Sequence, residues 1–300
     1  MPFDRLLMTL TRPRFFSLRN LSRYPRLSIQ MMIAGTVITL MFVLAAMLAP
    51  LLQSWGWLQN PLEGLANPIH EAPSAAHWFG TSRQGYDVFS RTLFGTQAAL
   101  QVVVLATLLS LVVGVPLGMV SGYLGGRLDR TLLFLMDTIY TLPGLLLSVT
   151  LAFVVGRGVG NAAIALSIAY VPQYYRVVRN HTISIKTELF IEAARSMGAS
   201  TWRVLSRYLF FNVIQSVPVL FTLNAADAVL ILGGLGFLGL GLPEQTPEWG
   251  TDLRQALDAL STGIWWTALF PGLALTMLVV GLSLMGEGLN ELINPLSRQE

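Results

Sequence analysis

The sequence predicts an all-α integral membrane protein with six transmembrane helices and both termini in the cytoplasm. Three observations carry this. Charged residues make up 12% of the 300 residues and apolar residues 53%, whereas a soluble domain is about 25% charged. Six stretches are long and apolar enough to cross a bilayer, which takes about 20 residues of helix. Lys and Arg gather on one side of those stretches, the side that stays in the cytoplasm. Disorder is excluded because a disordered chain is poor in apolar residues. A soluble domain of this length would need far more charge to cover its surface.

The elements follow in order. Residues 1–28 form a basic cytoplasmic arm carrying Arg5, Arg12, Arg14, Arg19, Arg23 and Arg26. The first span, 29–52, contains no ionisable residue and is too long for the apolar region of a signal peptide. Residues 53–97 form an extracytoplasmic segment. The second span, 98–120, is uncharged and opens a core domain that runs over 98–300. The third, 132–155, holds Asp137 and Pro143; the fourth, 162–178, holds Pro172 and Arg176. The fifth, 209–232, holds Pro218 and Asp227; the sixth, 266–286, holds Pro271. Arg127 and Arg130 lie between spans two and three. Arg176, Arg179, Lys186, Arg195, Arg203 and Arg207 lie at or within a large cytoplasmic loop, 179–208, and Arg298 follows the last span. Only Arg83, Arg91, Arg157 and Arg254 fall on the other side, so fifteen basic residues face four.

Several chemistries are absent. With no cysteine, disulfides and Cys-based zinc sites are impossible. A phosphate-binding P-loop needs Gly-x-x-x-x-Gly-Lys-Ser/Thr. The single lysine, Lys186, stands in Ser184-Ile185-Lys186-Thr187 with no glycine near it. His70, His77 and His181 are scattered, without the His-Glu-x-x-His spacing of a zinc protease, and no Gly-x-Ser-x-Gly nucleophile turn exists. The sequence supports no catalytic, metal or cofactor site.

The cytoplasmic loop is the informative stretch. Glu192-Ala193-Ala194 are good helix formers, Gly198 is a natural helix stop, and Ser200 or Thr201 can cap the next helix. This predicts a short helix, a turn, and a second helix running into span five. Ala193 and Ala194 would offer a flat surface to another protein and Glu192 one fixed charge. The alternative is an ordinary solvated, Arg-rich loop.

The run Glu192-Ala193-Ala194-x-x-x-Gly198 resembles the EAA loop of bacterial ABC-importer permeases. Three further blocks resemble the dipeptide, oligopeptide and nickel branch of that family, in its second permease subunit. Phe79-Gly80-Thr81-Ser82-Arg83-Gln84-Gly85-Tyr86-Asp87-Val88-Phe89-Ser90-Arg91 is similar to the branch's outer block. Gly234-Leu235-Gly236-Phe237-Leu238-Gly239-Leu240-Gly241 with Pro247-Glu248-Trp249-Gly250 is similar to its glycine-rich pair. Phe270-Pro271-Gly272-Leu273-Ala274 and Leu284-Met285-Gly286-Glu287-Gly288-Leu289 are similar to its ending. Some charges are lost against the pattern: Tyr86 and Gln97 stand for Arg, Ser82 for Asp, and Leu232 for an acidic residue. Phe210-Phe211-Asn212 stands for Leu-Pro-Asn.

The resemblance implies a type I importer permease in the bacterial inner membrane, carrying di- or oligopeptides by alternating access. It implies coupling to an ATPase subunit through Glu192, Ala193, Ala194, Arg195, Gly198 and Ala199, and a family outer motif at Gly80, Thr81, Gly85, Asp87, Ser90 and Arg91. The implied partners are a homologous permease, two ABC ATPase subunits that bind ATP and Mg, an extracytoplasmic substrate-binding protein and the lipid bilayer, with no nucleic acid. A nickel or other small-solute importer of the same branch is the nearest rival. An ion-driven transporter using Asp137 and Asp227, and an intramembrane enzyme, are the rivals from other classes.

The remaining signals are positional. An ionisable side chain within a span usually faces the bundle interior or a water-filled path. That makes Asp227 and Asp137 candidates for the translocation path, with a helix-end carboxylate paired with Arg130 or solvated near an interface as the alternative. Gly233, Gly234, Gly236, Gly239 and Gly241 suggest a closely packed, irregular outer end of span five against a partner permease, with plain close helix packing as the alternative. Trp249, Trp265 and Trp266 read as an interfacial aromatic belt.

Overall fold

The computed structural model describes residues 26–293, so most of the basic arm and Arg298 lie outside the described residues. Helices dominate, and the one strand-like feature among the described residues is a single bridge between Thr81 and Asp87. In chain order they are α1 (Arg26–Ser54), α2 (Val88–Leu124), α3 (Gly126–Tyr140), α4 (Gly144–Val155), α5 (Val159–Ile185) and α6 (Leu189–Ser196). There follow α7 (Thr201–Phe237), α8 (Trp249–Leu260) and α9 (Trp266–Ile293).

Four of these, α1, α2, α7 and α9, are long and apolar enough to cross a membrane. The pair α3 and α4 passes the same test jointly but is bent by 90° between its halves. The sequence predicts one continuous span there, 132–155. Pro143 has no N–H to continue the ladder, and Leu142 N–H turns back to the Ile139 carbonyl, closing α3. Helix α5 is long enough but less apolar than these four. It lies inside the bundle, with Tyr170, Tyr174 and Tyr175 fully buried.

Helix α2 starts ten residues before the predicted span. Its first turns carry Ser90, Arg91, Thr92 and Thr96, all buried, and Asp87 caps it by accepting from the Ser90 N–H. Hydropathy misses such a start because its polar groups are satisfied within the protein. Helix α7 contains a π-helical stretch, Val204–Leu209, and a 3₁₀ turn, Ile214–Ser216, before it becomes regular at Val217. The chain thus passes the expected proline position without proline, and Asn212 Nδ2 donates to the Tyr208 carbonyl instead.

Small residues set the helix spacing. Gly114, Gly118 and Gly122 recur every fourth residue along the face of α2 that meets α5. Cβ atoms there would lie 2.7 Å from Tyr174 Cβ, 2.6 Å from the Tyr175 carbonyl and 2.7 Å from the Arg179 carbonyl. Ser110, one turn earlier on that face, donates to the Ser167 carbonyl of α5 at 3.1 Å. A second ladder joins α1 to α9: Cβ atoms at Gly281 and Gly288 would come within 2.7 Å of Ile38 and 2.6 Å of Met32. Without a hydrophobic force between helices in lipid, such backbone approach is what holds them together.

Gly118→Val should therefore lower the thermal unfolding midpoint of the purified protein, with an overpacking cost of about 1–3 kcal/mol. Gly160→Ala, where an added methyl meets nothing within 4 Å, should leave it unchanged. Equal midpoints for the two variants would remove the α2–α5 approach as a determinant of stability.

Candidate functional site

Three clusters hold the residues that the sequence singles out. At the outer end, the block around Gly80 is a turn that starts α2 and clamps α8. Gly80 and Gly85 take φ of 71° and 68°, a left-handed conformation that favours glycine. Thr81 Oγ1 donates to the Pro68 carbonyl at 2.5 Å and accepts from Glu71 N–H at 2.7 Å. Asp87 accepts from both Ser90 N–H and Ser90 Oγ, at 2.8 and 2.7 Å, and its other oxygen meets His77 Nδ1 at 3.2 Å. Arg91 is buried; its Nε donates to Asp252 of α8 at 2.9 Å and its guanidinium lies 4.3 Å from the centre of the Tyr86 ring. The motif residues thus act on the fold itself, and Tyr86 supplies an aromatic face to Arg91.

The tryptophans correct the belt reading. Trp249 is buried and donates to the Thr92 carbonyl at 3.0 Å; Trp266 is buried and donates to the Thr81 carbonyl at 3.2 Å. Only Trp265 of the three is exposed. The buried two are pins between helices, each with its indole N–H satisfied, as burial requires. The glycine-rich end of α7 packs mainly within this chain: a side chain at Gly236 would strike the Glu248 carboxylate, and one at Gly250 would strike the Gly233 backbone. Glu248 caps α8, accepting from Gly250 N–H, Thr251 N–H and Thr251 Oγ1, each at 2.8 Å. Burial outweighs these bonds and pushes its carboxyl up to about 7.

The second cluster is a polar face across the spans. Asp137 of α3 does not pair with Arg130. It accepts from Arg176 of α5 at 2.7 Å, and the Arg176 guanidinium also lies 4.0 Å from the centre of the Tyr140 ring. Nearer the end of α5, Asp129 pairs with Arg179 at 2.6 Å. Asp227 of α7 accepts from Tyr170 of α5 at 2.9 Å. It borders a cavity of about 330 Å³ at the α3–α4 break, together with Tyr140, Thr141, Gln173 and Gly144. Asp137 and Asp227 therefore share one side of the bundle, both displayed beside α5. The arginine partner was readable only as a charged span end, because a sequence does not give the rotation of α5 against α3.

The third cluster is a knob formed by α6 and the first turns of α7. Gly198 has φ of 81°; its N–H bonds the Arg195 carbonyl at 2.9 Å and Ala199 N–H bonds the Ala194 carbonyl at 3.0 Å. That is the Schellman ending of a helix. Ser200 caps α7 by accepting from Arg203 N–H at 3.4 Å. Glu192, Ala193, Arg195 and Gly198 are exposed, while Ala194 is 1% exposed. The pair of alanines therefore does not form one outward surface. Residues 191 and 194 lie on one side of the helix, and Ile191 and Ala194 pack inward together. The outward apolar surface comes instead from Leu189, Met197 and Trp202, 81%, 56% and 76% exposed. Arg195 lies over Tyr123 and donates to its hydroxyl at 3.1 Å, tying the knob to the end of α2.

The comparisons with known proteins decide the family. Residues 114–299 match the family model described as "Binding-protein-dependent transport system inner membrane component". This chain belongs to that family. It is 36% identical over 267 residues to the dipeptide transport system permease protein DppC of Alkalihalophilus pseudofirmus, covering 88% of this chain and 85% of the relative. It is 34% identical over 227 residues to the glutathione transport system permease protein GsiD of Pectobacterium atrosepticum, covering 76% and 75%. In fold it is similar to a chain of the inward-facing MetNI methionine ABC transporter, with a TM-score of 0.53 and 21% identity over 68% of this chain and 95% of that one. Membership of a binding-protein-dependent transport family makes this chain a transport subunit. The intramembrane enzyme and the self-sufficient ion-driven transporter are set aside.

The clamp of this permease gives a signed pH dependence. Folded, Glu248 holds its proton up to about pH 7; unfolded, it releases it near its ordinary 4.5. Between those values the folded chain binds more protons, so this contribution to stability is full below the lower value and is lost as pH rises through the upper one. The thermal midpoint should rise as pH falls from 8 to 5. Glu248→Gln should flatten that rise, and an unaltered slope in the variant would assign it to other groups.

Proposed function

We propose that this chain is one of two permease subunits of an ATP-driven importer of di- or oligopeptides in the bacterial inner membrane. In this reading it crosses six times with both termini inside: α1, α2, the broken pair α3–α4, α5, α7 and α9. The homologous permease covers the polar side that carries Asp137 and Asp227. Two ATPase subunits dock beneath the knob and hold ATP and Mg, so this chain binds no cofactor. A substrate-binding protein delivers the peptide to the outer end. The names of the relatives support the substrate class, since both act in transport of small peptides.

The observation that carries the reading is the knob. Leu189, Met197 and Trp202 are exposed on a helix–turn–helix, and Leu189 and Met197 would each gain about 1.5–3 kcal/mol on full burial against a partner. At Gly198 nothing of this chain lies within 4 Å of an added Cβ, so a partner is free to approach the backbone there. Closure of the ATPases on ATP would shift this knob, and α7 carries the shift into the bundle. Access then alternates between the two sides.

Gly198→Asp should abolish peptide uptake by the reconstituted complex and weaken co-purification of the ATPases by about tenfold or more, because it buries a charge against an apolar contact. The chain should still insert in the membrane. Gly198→Asn, which tolerates the left-handed backbone, should also impair uptake if the docking surface matters. Wild-type uptake by Gly198→Asp would refute docking at the knob, and uptake of nickel in place of peptides would overturn the substrate class.

A further inference from the structure

We propose that Asp227 and the open backbone at the α3–α4 break form a transit site for the ammonium group of the transported peptide. This rests on the importer reading given above and adds the chemistry by which the path itself handles its substrate. The reasoning begins with charge. Carboxylates at membrane depth are costly and are usually paired. Asp137, within the third span, is paired with Arg176, and Asp129, just before that span, with Arg179. Asp227 has no ion pair among the described residues; its one polar partner is the Tyr170 hydroxyl. A negative charge is therefore left over on the open side of the bundle.

The surroundings select the sign and shape of a ligand. The Tyr170 hydroxyl spends its proton on Asp227, and the Thr141 hydroxyl spends its own on the Thr138 carbonyl at 2.7 Å. The 90° break interrupts the backbone ladder. Leu142 N–H and Leu147 N–H return to the carbonyls of Ile139 and Pro143. The carbonyls of Tyr140, Thr141 and Leu142 accept no backbone hydrogen bond among the described residues and sit at the C-terminal, partially negative end of α3. Irregular backbone at membrane depth is tolerated where it lines a cavity. The cavity here is about 330 Å³, at the small end for a ligand site.

A carboxylate without an ion-pair partner, on a cavity also lined by residues 140–142 at the C-terminal end of α3, calls for a cation that donates several hydrogen bonds, which a primary ammonium does. The start of α4 at Gly144 borders the same cavity and suits the carbonyl that follows an α-ammonium in a peptide. The charge of Asp227, not this helix start, sets the sign of the ligand. The volume fits the first residue of a peptide and leaves the rest of it in the open path.

The test uses the complete importer, with its ATPases, partner permease and binding protein, reconstituted in vesicles. The probe is radiolabelled dialanine with a free amino terminus, and the readout is dialanine taken up per ATP hydrolysed. Asp227→Asn should lower this ratio by about tenfold or more, the loss expected for one charge-assisted hydrogen bond. Asp227→Glu should restore most of it, since the charge returns. An Asp227→Asn ratio within about twofold of wild type overturns the transit site, taking the same bond energy as the scale. So does an equal loss in both variants accompanied by failure to assemble with the ATPases, which would make Asp227 a structural residue. Wild-type vesicles that hydrolyse ATP without taking up dialanine would count against the importer reading itself.

Discussion

The close approach of α2 and α5 is the constraint on which the other features depend. Helix α5 carries Tyr170, Gln173, Arg176 and Arg179 toward its neighbours. It can hold that position only inside the bundle, and glycines at 114, 118 and 122 let its backbone sit against α2. Ser121 of α2 extends the contact, donating to Asp129 and sharing a hydrogen bond with Tyr175. Side chains on that α2 face would push α5 outward and break the register of every polar pair it makes.

The polar pairs then fix α3. Two ion pairs, Asp129–Arg179 and Asp137–Arg176, stand about two helical turns apart along α3 and about one turn apart along α5. Asp137 and Arg176 both lie within predicted spans, where removing one partner leaves an uncompensated charge that costs far more than the pair itself contributes. The pairs thus choose one rotation of α3, and the chain must turn sharply at Pro143 for α4 to return against α5 and α7. The 90° break follows from satisfying charges on α3 while keeping the apolar α4 beside its neighbours.

Much of the fold was legible because lipid imposes length and apolarity on each crossing. Spans at 29–52, 209–232 and 266–286 fall inside α1, α7 and α9. The helix–turn–helix before span five was legible too, since Gly198 and Ser200 carry local backbone chemistry. What hydropathy missed depends on neighbours: the polar first turns of α2, capped by Asp87 and covered by α8, and the inward pins Trp249 and Trp266. Residue type alone cannot separate a tryptophan at the lipid interface from one that donates to a buried carbonyl. Ala194 shows the same limit on the knob, because the rotation of α6 decides which alanine is seen. The small-residue repeat at 114, 118 and 122 was in plain sight as a spacing signal for helix packing, and it gives the α2–α5 contact that no apolar pattern predicts.

Helix α7 joins the knob to the polar face in one piece. From Thr201 to Asp227 it rises about 39 Å at the α-helical repeat, enough to cross the hydrocarbon core. The turn at Gly198 and the carboxylate at 227 are therefore ends of a single lever. Its stiffness is not uniform: the π stretch at Val204–Leu209 and the 3₁₀ turn at Ile214–Ser216 lie next to the knob, and the segment beyond Val217 is regular. Such turns make poorer hydrogen bonds than an α-helix and take up rotation or translation at lower cost. In the proposed importer, an irregular foot and a regular shaft would let the knob tilt with an ATPase while the shaft moves as a body. Under the proposed coupling, motion at the foot would shift Asp227 relative to the α3–α4 break, and its bond to Tyr170 would resist that shift.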